Sequence, residues 1–426
     1  MAKPKLCLIP AAQGSKLYSV LPSSGVGDFQ FNRSGSATRI NSQGLIETVA
    51  SGVSRLNYPM IDGVVKGCPH HILEPQRTQL VQYSEDFSQG YWTKTRTSIS
   101  PNEYISPEGV LNADKLIENT DNNSHLLYNT LSVSAQDYTS SIFVRENGRK
   151  KIRLRFDNAS FLRYADFDLE NGIVDSSSNS TASIESYGNG WYRCSIKVTA
   201  TATTFYNVVQ LLSDCSSLNY QGDGTSGIYI WGAQLEQGSF PTSYIPNYGT
   251  AAGVTRSAET ANGSGDAATF NDSEGVLMAE ISALANDGTD RVLSLNDGSA
   301  NNRIVLYYNT SNNLIAQVYS ISNTIQATIT VNDLNITNLS RISIKYDTNS
   351  IKLYLNGFLK GTQSISNAPI NLSELDFDNG IGSANFYGNT KQLQYFDTAL
   401  TDIDLEKLTS WVSFQEMAEG QLYTIE

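Results

Sequence analysis

The sequence predicts an all-β fold: tandem β-sandwich or jelly-roll domains after an extended, loop-rich N-terminal segment, with a short C-terminal helix. Three observations carry this. Short alternating apolar–polar runs recur along the chain between turn-forming residues, and no helical period crosses them. Prolines are partitioned: Pro4, Pro10, Pro22, Pro59, Pro69, Pro75, Pro101 and Pro107 crowd the beginning, whereas residues 108–240 contain none. Proline removes a ladder donor, so its absence marks a continuous sheet assembly. The composition is 17% charged and contains 23 tyrosines, the profile of a turn-rich β protein.

At 426 residues the chain exceeds a single core, and five parts are expected. Residues 1–79 show few regular runs. Ser34–Ile40 and Gly44–Val49 are short strands at best, so the segment is expected to be held by neighbouring copies or by a larger particle. Residues 80–246 read as a jelly roll, with strands at Ser140–Val144, Ile152–Phe156, Tyr164–Leu169, Tyr192–Val198 and Ile228–Leu235. The turns Glu146-Asn147-Gly148, Glu170-Asn171-Gly172 and Gly188-Asn189-Gly190 separate them. Residues 247–265 are small and polar and read as a linker. Residues 266–412 repeat the all-β pattern, and Asn356-Gly357 directly after Leu355 is a hairpin cue. Thr401–Leu408 changes period to a helix, with Thr401 as N-cap, Asp404 three positions on, and Ile403, Leu405 and Leu408 facing the sandwich. Residues 413–426 are left as a tail.

Several function classes lose support at this stage. The net charge is −13, and no cationic track is available for phosphates, so nucleic acid is not an expected partner. The one basic cluster, Arg149–Arg155, alternates with Ile152, Leu154 and Phe156 and reads as a half-buried strand. No apolar run approaches the ~20 residues of a membrane-crossing helix, and the proline-broken start argues against a secretory leader. Cys7, Cys68, Cys194 and Cys215 lack metal-ligand spacing, and Cys194 is expected to be a buried free thiol. His70, His71 and His125 are the only histidines. A metal site pairing Cys68 with His70 or His71 is conceivable but is outweighed by turn and packing roles. Asp166, Asp168 and Glu170 alternate on one strand, as the paired carboxylates of a glycosidase would. They run straight into Asn171-Gly172, which favours a structural reading. No catalytic residue is assigned.

Three stretches resemble known families. Lys16–Pro22, Asp28–Ser34, Ala37–Asn41, Gly44–Glu47 and Leu73–Thr78 resemble the opening of bacteriophage fibre and tail-appendage proteins. Tyr83–Phe87, Tyr91-Trp92, Gly188–Arg193, Trp231–Glu236 and Pro241–Pro246 resemble jelly rolls of the carbohydrate-binding-module kind. Leu353–Gly357 with Phe396–Thr401 resembles concanavalin-A-like, laminin-G-type lectin domains. The resemblance implies a non-enzymatic virion fibre of the tail or head, made in the host bacterial cytoplasm and displayed on the particle surface. It implies a homotrimer, other virion proteins contacted through residues 1–79, and host-surface glycans as the external partner. A polysaccharide depolymerase and a purely structural decoration are the competing readings.

Sugar contact needs exposed aromatics beside amide or carboxylate partners. Trp191 and Trp231 have alternating apolar neighbours and are expected in the core. Loop-borne Tyr220 with Asp223, and Tyr387 with Asn389, are the carbohydrate-binding candidates. Laminin-G-type domains often bind calcium through loop oxygens, which makes Asp287, Asp290 and Asp297 candidate ligands. The same residues are ordinary turn formers, and both readings stay open.

Overall fold

The computed structural model describes residues 2–158, 162–201 and 203–421. Its strands form two sandwiches, and the only helices among these residues are α1 (Asp402–Thr409) and α2 (Phe414–Gly420).

The jelly roll packs two six-stranded antiparallel sheets face to face. One runs Thr93–Thr95, His125–Val133, Thr203–Leu212, Lys151–Asp157, Tyr164–Asp168, Ile173–Ser178. The other runs Thr97–Ile105, Leu111–Glu118, Gly227–Gln237, Asp137–Asn147, Tyr192–Thr199, Thr181–Ser186. The alternation read from sequence decides which side chains meet. Ile152, Leu154 and Phe156 join Leu211, Ile228, Ile230 and Cys194 in one core, while Arg153 and Arg155 of the same strand pair with Asp166 and Asp157. Trp191 and Trp231 are buried in a satellite core with Phe143 and Tyr244, as expected for packing residues. Gly232 holds a φ of +61° where the ladder to Ser141–Phe143 slips register. A Cβ there would stand 2.9 Å from the Phe143 ring, so glycine is what lets Trp231 close on Phe143.

The second sandwich is larger than the expected 266–412. Its five-stranded sheet is Thr324–Val331, Leu314–Ser320, Arg303–Tyr308, Arg291–Asn296, Glu374–Asp376. Opposite lies a sheet in which Gly388–Phe396 and Glu274–Ala283 are central neighbours. The free side of Gly388–Phe396 is covered by the N-terminal segment. Leu6–Leu8 pairs with Leu393–Tyr395, and His71–Leu73 pairs with Gly388–Thr390. Lys16–Leu21, Phe29–Asn32 and Thr260–Asn262 extend the same sheet outward.

This corrects the picture of residues 1–79. They are built from short strands that pair with their own chain, because the sandwich offers an open strand edge that must be paired or covered. Leu6, Leu8, Leu17, Phe29, Phe31 and Leu73 enter the core of the second sandwich. The expected linker 247–265 is corrected as well: Val254–Arg256 pairs with Arg77–Gln79, and Thr260–Asn262 with Gln30–Asn32. The expected tail contains α2. Residues 422–426 lie outside the described residues.

Local predictions elsewhere hold. Asn356 (φ 49°) and Gly357 (φ 87°) make the tight turn between Ser350–Leu355 and Phe358–Ser364. The Thr401 side chain accepts from the Asp404 amide and caps α1, whose Leu405 is buried. Ile403 is an exception and faces solvent.

A buried ionic cluster lies where the N-terminal segment, the jelly roll and the 247–265 segment meet. Arg33 donates to Glu259 at 2.7 Å, and Arg55 binds Glu259 through Nε at 2.8 Å and again through Nη2. Arg55 also reaches Glu74 at 2.8 Å, and Arg256 reaches Glu74 at 2.6 Å. The Ser243 amide and hydroxyl donate to Glu74, and the Glu74 amide donates to Glu259. The side chains of Arg33, Arg55 and Glu259 are wholly buried. Burial alone would raise the Glu74 carboxyl, but Arg256, Arg55 and Ser243 hold it well below the usual carboxylate range.

Glu259→Gln is expected to destabilise the chain by about 3–5 kcal/mol, because Arg33 and Arg55 stay buried without their counter-charge; urea unfolding checks it. Glu74 titrates lower folded than unfolded. Its contribution is therefore present above the unfolded value and is lost as pH falls below it. Glu74→Gln is expected to flatten the loss of melting temperature between pH 6 and pH 3.

Candidate functional site

The sequence-predicted residues do not converge on one place. Tyr220, expected in an exposed loop, is buried. Its hydroxyl donates to Glu118 Oε2 at 2.6 Å, its ring lies 4.8 Å from His125, and the Arg149 guanidinium sits 4.8 Å above it. Glu118 needs these donors because it is itself buried, and Arg149 grips it through Nε and Nη2. The apolar ring was therefore recruited to close the site of a buried ion pair. Asp223 is exposed, yet its carboxylate closes the following turn by accepting from the Thr225 and Ser226 amides and hydroxyls. Those bonds hold its carboxyl well below the usual range.

Tyr387 is half-buried against the second core, and its hydroxyl accepts from Asn385 at 3.4 Å. Asn389 donates weakly to Ser282 at 3.4 Å and lines a small pocket with Lys391, His70 and Glu416. Tyr220 and Tyr387 thus belong to different sandwiches, the first buried and the second half-buried.

Two of the three calcium candidates, Asp287 and Asp297, are engaged by protein donors. Asp287 accepts from Arg291 Nη2 at 2.6 Å, and Asp297 accepts from Ser299 and Asn302 inside its own loop. Asp290 is exposed. Among the described residues no group of three or more His, Cys, Asp and Glu is placed to hold a metal ion.

The carboxylates of Asp166, Asp168 and Glu170 are likewise occupied. Arg153 clamps Asp166 with two bonds of 2.6 and 2.8 Å, Asp168 accepts from the Glu170 and Asn171 amides, and Glu170 pairs with Lys150. His71 is buried against Phe31 and Phe377, and burial with nearby Arg55 pushes it down to about 3, so it packs as a neutral ring. Cys194 is buried as expected, and burial pushes its thiol well up.

What does converge is a cleft on the jelly roll that sequence reasoning did not single out. An open cleft of about 460 Å³ is lined by Tyr83, Glu85, Asp86, Ser88, Pro101, Asn102, Asn112, Asp114 and Tyr248. Three chain segments build it. The entry loop 83–88 is tied to the jelly-roll exit by the Ser84 amide donating to Asn247 O and the Asn247 amide donating to Ser84 Oγ, each at 2.9 Å. Asn247 Oδ1 then accepts from the Gly249 and Thr250 amides, and this turn carries Tyr248 outward. Gly249, at φ +115°, has no Cβ to strike the Tyr83 ring, which would lie 2.8 Å away. The third wall is the bulged ladder between Thr97–Ile105 and Leu111–Glu118, where Asn102 takes a left-handed φ of 57°.

Tyr248 is 71% exposed, the largest value of any tyrosine among the described residues. Beside it Glu85 accepts from the Tyr244 hydroxyl at 2.9 Å and only distantly, at 3.4 Å, from Asn112. Burial, aided by Glu108, pushes the Glu85 carboxyl up to about 7 against the lowering effect of Tyr244. Asp114 is more fully engaged, accepting from the Phe87 and Asn102 amides at 2.9 and 3.0 Å. The arrangement combines an exposed ring with amide and carboxylate groups at its edge. Such a surface can stack on the apolar face of a sugar while accepting hydrogen bonds from its hydroxyls. The signal for it was the aromatic held between turn formers in Asn247-Tyr248-Gly249, a segment read as linker.

The raised Glu85 sets a pH dependence. A carboxyl that titrates higher folded than unfolded costs stability once pH exceeds the unfolded value, and the cost is complete above about 7. Glu85→Gln is therefore expected to raise the melting temperature more at pH 8 than at pH 5. Equal shifts at both would contradict this.

Among solved structures, the sialyllactose-bound CBM40 of the Ruminococcus gnavus IT-sialidase shares 16% identity over 34% of this chain and 92% of its own, with a TM-score of 0.28. Domain 4 of AbnA, an extracellular arabinanase from Geobacillus stearothermophilus, in complex with arabinotriose, shares 14% identity over 36% of this chain and 73% of its own, with a TM-score of 0.30. Domains LG4-5 of the mouse laminin alpha1 chain share 13% over 66% of this chain and 90% of their own, with a TM-score of 0.22. Likeness of this extent transfers neither ligand nor activity. No curated protein matches the chain. Residues 262–406, the larger part of the second sandwich, match the family model of the concanavalin A-like lectin/glucanases superfamily, a laminin-G-type domain, and are similar to that class.

Proposed function

We propose that the chain is a glycan-binding protein that engages host-surface sugars reversibly through the jelly-roll cleft around Tyr248. The observation that carries this is the pairing of an exposed Tyr248 ring with Glu85, Asn112 and Asn102 in one concave site. A rigid scaffold supports it: the cleft walls are tied by the Ser84–Asn247 bonds, so little ordering entropy is lost on binding. The lectin-class match of residues 262–406 supports the same theme.

The mounting we infer is a phage virion fibre, a homotrimer whose residues 1–79 contact other virion proteins. The resemblance of the N-terminal text supports it. So does the outer face of the first hairpin, where Ile9, Tyr18 and Val20 are exposed although their neighbours Leu8 and Leu17 are buried. Repeated copies would supply avidity, so each cleft can be weak.

A hydrolytic reading is favoured by one observation. A carboxyl held near 7, as Glu85 is, suits a general acid in glycoside cleavage. Its partner would have to be Asp86 or Asp114. Both already accept protein donors, Asp86 from Ser88 and Gln89, and Asp114 from two amides. Binding without cleavage is therefore the stronger reading.

Tyr248→Ala is expected to weaken binding to oligosaccharides on a glycan array about tenfold or more, with the melting temperature unchanged. Unchanged binding would remove the cleft from the mechanism. Glu85→Gln separates the two readings: loss of a measurable polysaccharide cleavage supports hydrolysis, and retained binding with no cleavage in either protein supports a lectin.

A further inference from the structure

The acids of the Tyr248 cleft are organised differently from other acids of the jelly roll. The buried carboxylates of Glu118, Asp157 and Asp166 are each met by an arginine: Arg149, Arg155 and Arg153. In the cleft Glu85, Asp86 and Asp114 line one concave surface, and none of its lining residues is a lysine or arginine. Glu108 adds to them from behind. Asn112 Nδ2 donates to Glu108 Oε1 at 2.7 Å and to Glu85 Oε2 at 3.4 Å, so one amide bridges the two carboxylates. Among the described residues none of these four acids forms an ion pair.

Lys94 does not neutralise them. It acts on Asp86 and Asp114 from a distance, but its Nζ donates to the backbone carbonyls of Ser88 and Gln89 at 2.9 and 2.7 Å. The donors that do reach the carboxylates carry no charge. They are the Tyr244 hydroxyl for Glu85, Ser88 and Gln89 for Asp86, and the Phe87 and Asn102 amides for Asp114. Neutral donors fill lone pairs without supplying a counter-charge. Burial, with Glu108, accordingly raises the Glu85 carboxyl, and burial, with Asp86, raises that of Asp114. Acceptors are in surplus as well, since Asn112 Oδ1 is buried without a donor.

We propose that the cleft selects sugars bearing a primary amine, whose ammonium meets Glu85 and its neighbouring carboxylates while Tyr248 stacks on the sugar ring. This rests on the glycan-binding reading of the cleft and adds a charge requirement to it. An ammonium brings the missing counter-charge and three N–H donors to a wall made of acceptors. A fully methylated ammonium lacks those donors and is recognised by cages of several rings, whereas here Tyr248 stands out and Tyr83 is half-buried. At about 460 Å³ the cleft is far larger than an ammonium group, so the amine arrives on a larger body. The side-chain amides of Asn102 and Asn112, on the same surface as Tyr248, suit the hydroxyls of that body. The net charge of −13 draws cationic ligands to the chain and repels acidic ones.

The test is calorimetry on the full chain at pH 6 with three probes: a glucosamine hexamer, the N-acetylglucosamine hexamer of the same linkage, and pentalysine. The glucosamine hexamer is expected to bind about tenfold or more tighter than its acetylated counterpart, and to lose that advantage as salt rises. Tyr248→Ala is expected to weaken both hexamers. Glu85→Gln is expected to bring the two to near-equal affinity with the acetylated hexamer bound as before. Glu108→Gln, which leaves every residue lining the cleft in place, is expected to reduce the preference in the same direction. The proposal is overturned if the glucosamine hexamer does not bind, if the two hexamers bind equally, if pentalysine binds as tightly as the glucosamine hexamer, or if the preference survives both glutamine variants. Tyr248-dependent binding of neutral glycans without a preference for the amine overturns this selection and leaves the glycan-binding reading standing. Absence of any Tyr248-dependent binding removes both.

Discussion

The buried cluster of Arg33, Arg55, Glu74, Arg256 and Glu259 is the constraint on which the rest of the structure depends. Its members come from the N-terminal segment and from the stretch between the sandwiches, and Ser243 at the jelly-roll exit completes it. Charges removed from water must find partners, and here each carboxylate serves two guanidinium groups. No part of the junction can therefore leave without stranding a charge in another. That couples segments which, taken singly, bury too little apolar surface to fold.

The same logic explains why the second sandwich extends beyond the region its family model covers. Gly388–Phe396 is a central strand whose ladder would be open on one side if only residues 262–406 were present. Leu6–Leu8 and His71–Leu73 close it. The N-terminal segment is thus an integral layer of the lectin-type fold, and any contact it makes with other proteins must use its outward face. The exposed Ile9, Tyr18 and Val20 are available there.

Recognition and scaffold are divided between backbone types. The strands supply rigid platforms, and the acceptors available to a ligand lie in turns and bulges whose geometry asparagine and glycine permit. Tyr248 is displayed because Asn247 satisfies the turn amides and Gly249 clears the Tyr83 ring. By contrast Tyr220 lost its polar tip to Glu118, and the acidic strand Asp166–Glu170 lost its carboxylates to Arg153, Lys151 and Lys150.

The sequence by itself determined the all-β class, the two sandwiches, the Asn356-Gly357 hairpin, the Thr401 cap and the burial of Trp191 and Trp231. These follow from period-two alternation and turn chemistry, which are local and visible in one chain. Only the tertiary structure decided where residues 1–79 belong, that 247–265 pairs as strands, and that Tyr220 is buried while Tyr248 is displayed. Strand partners hundreds of residues apart leave no local trace. A tyrosine or aspartate in a turn reads the same whether its polar atoms meet water or a buried ion. Long-range pairing and charge compensation set these outcomes, and both depend on which surfaces meet.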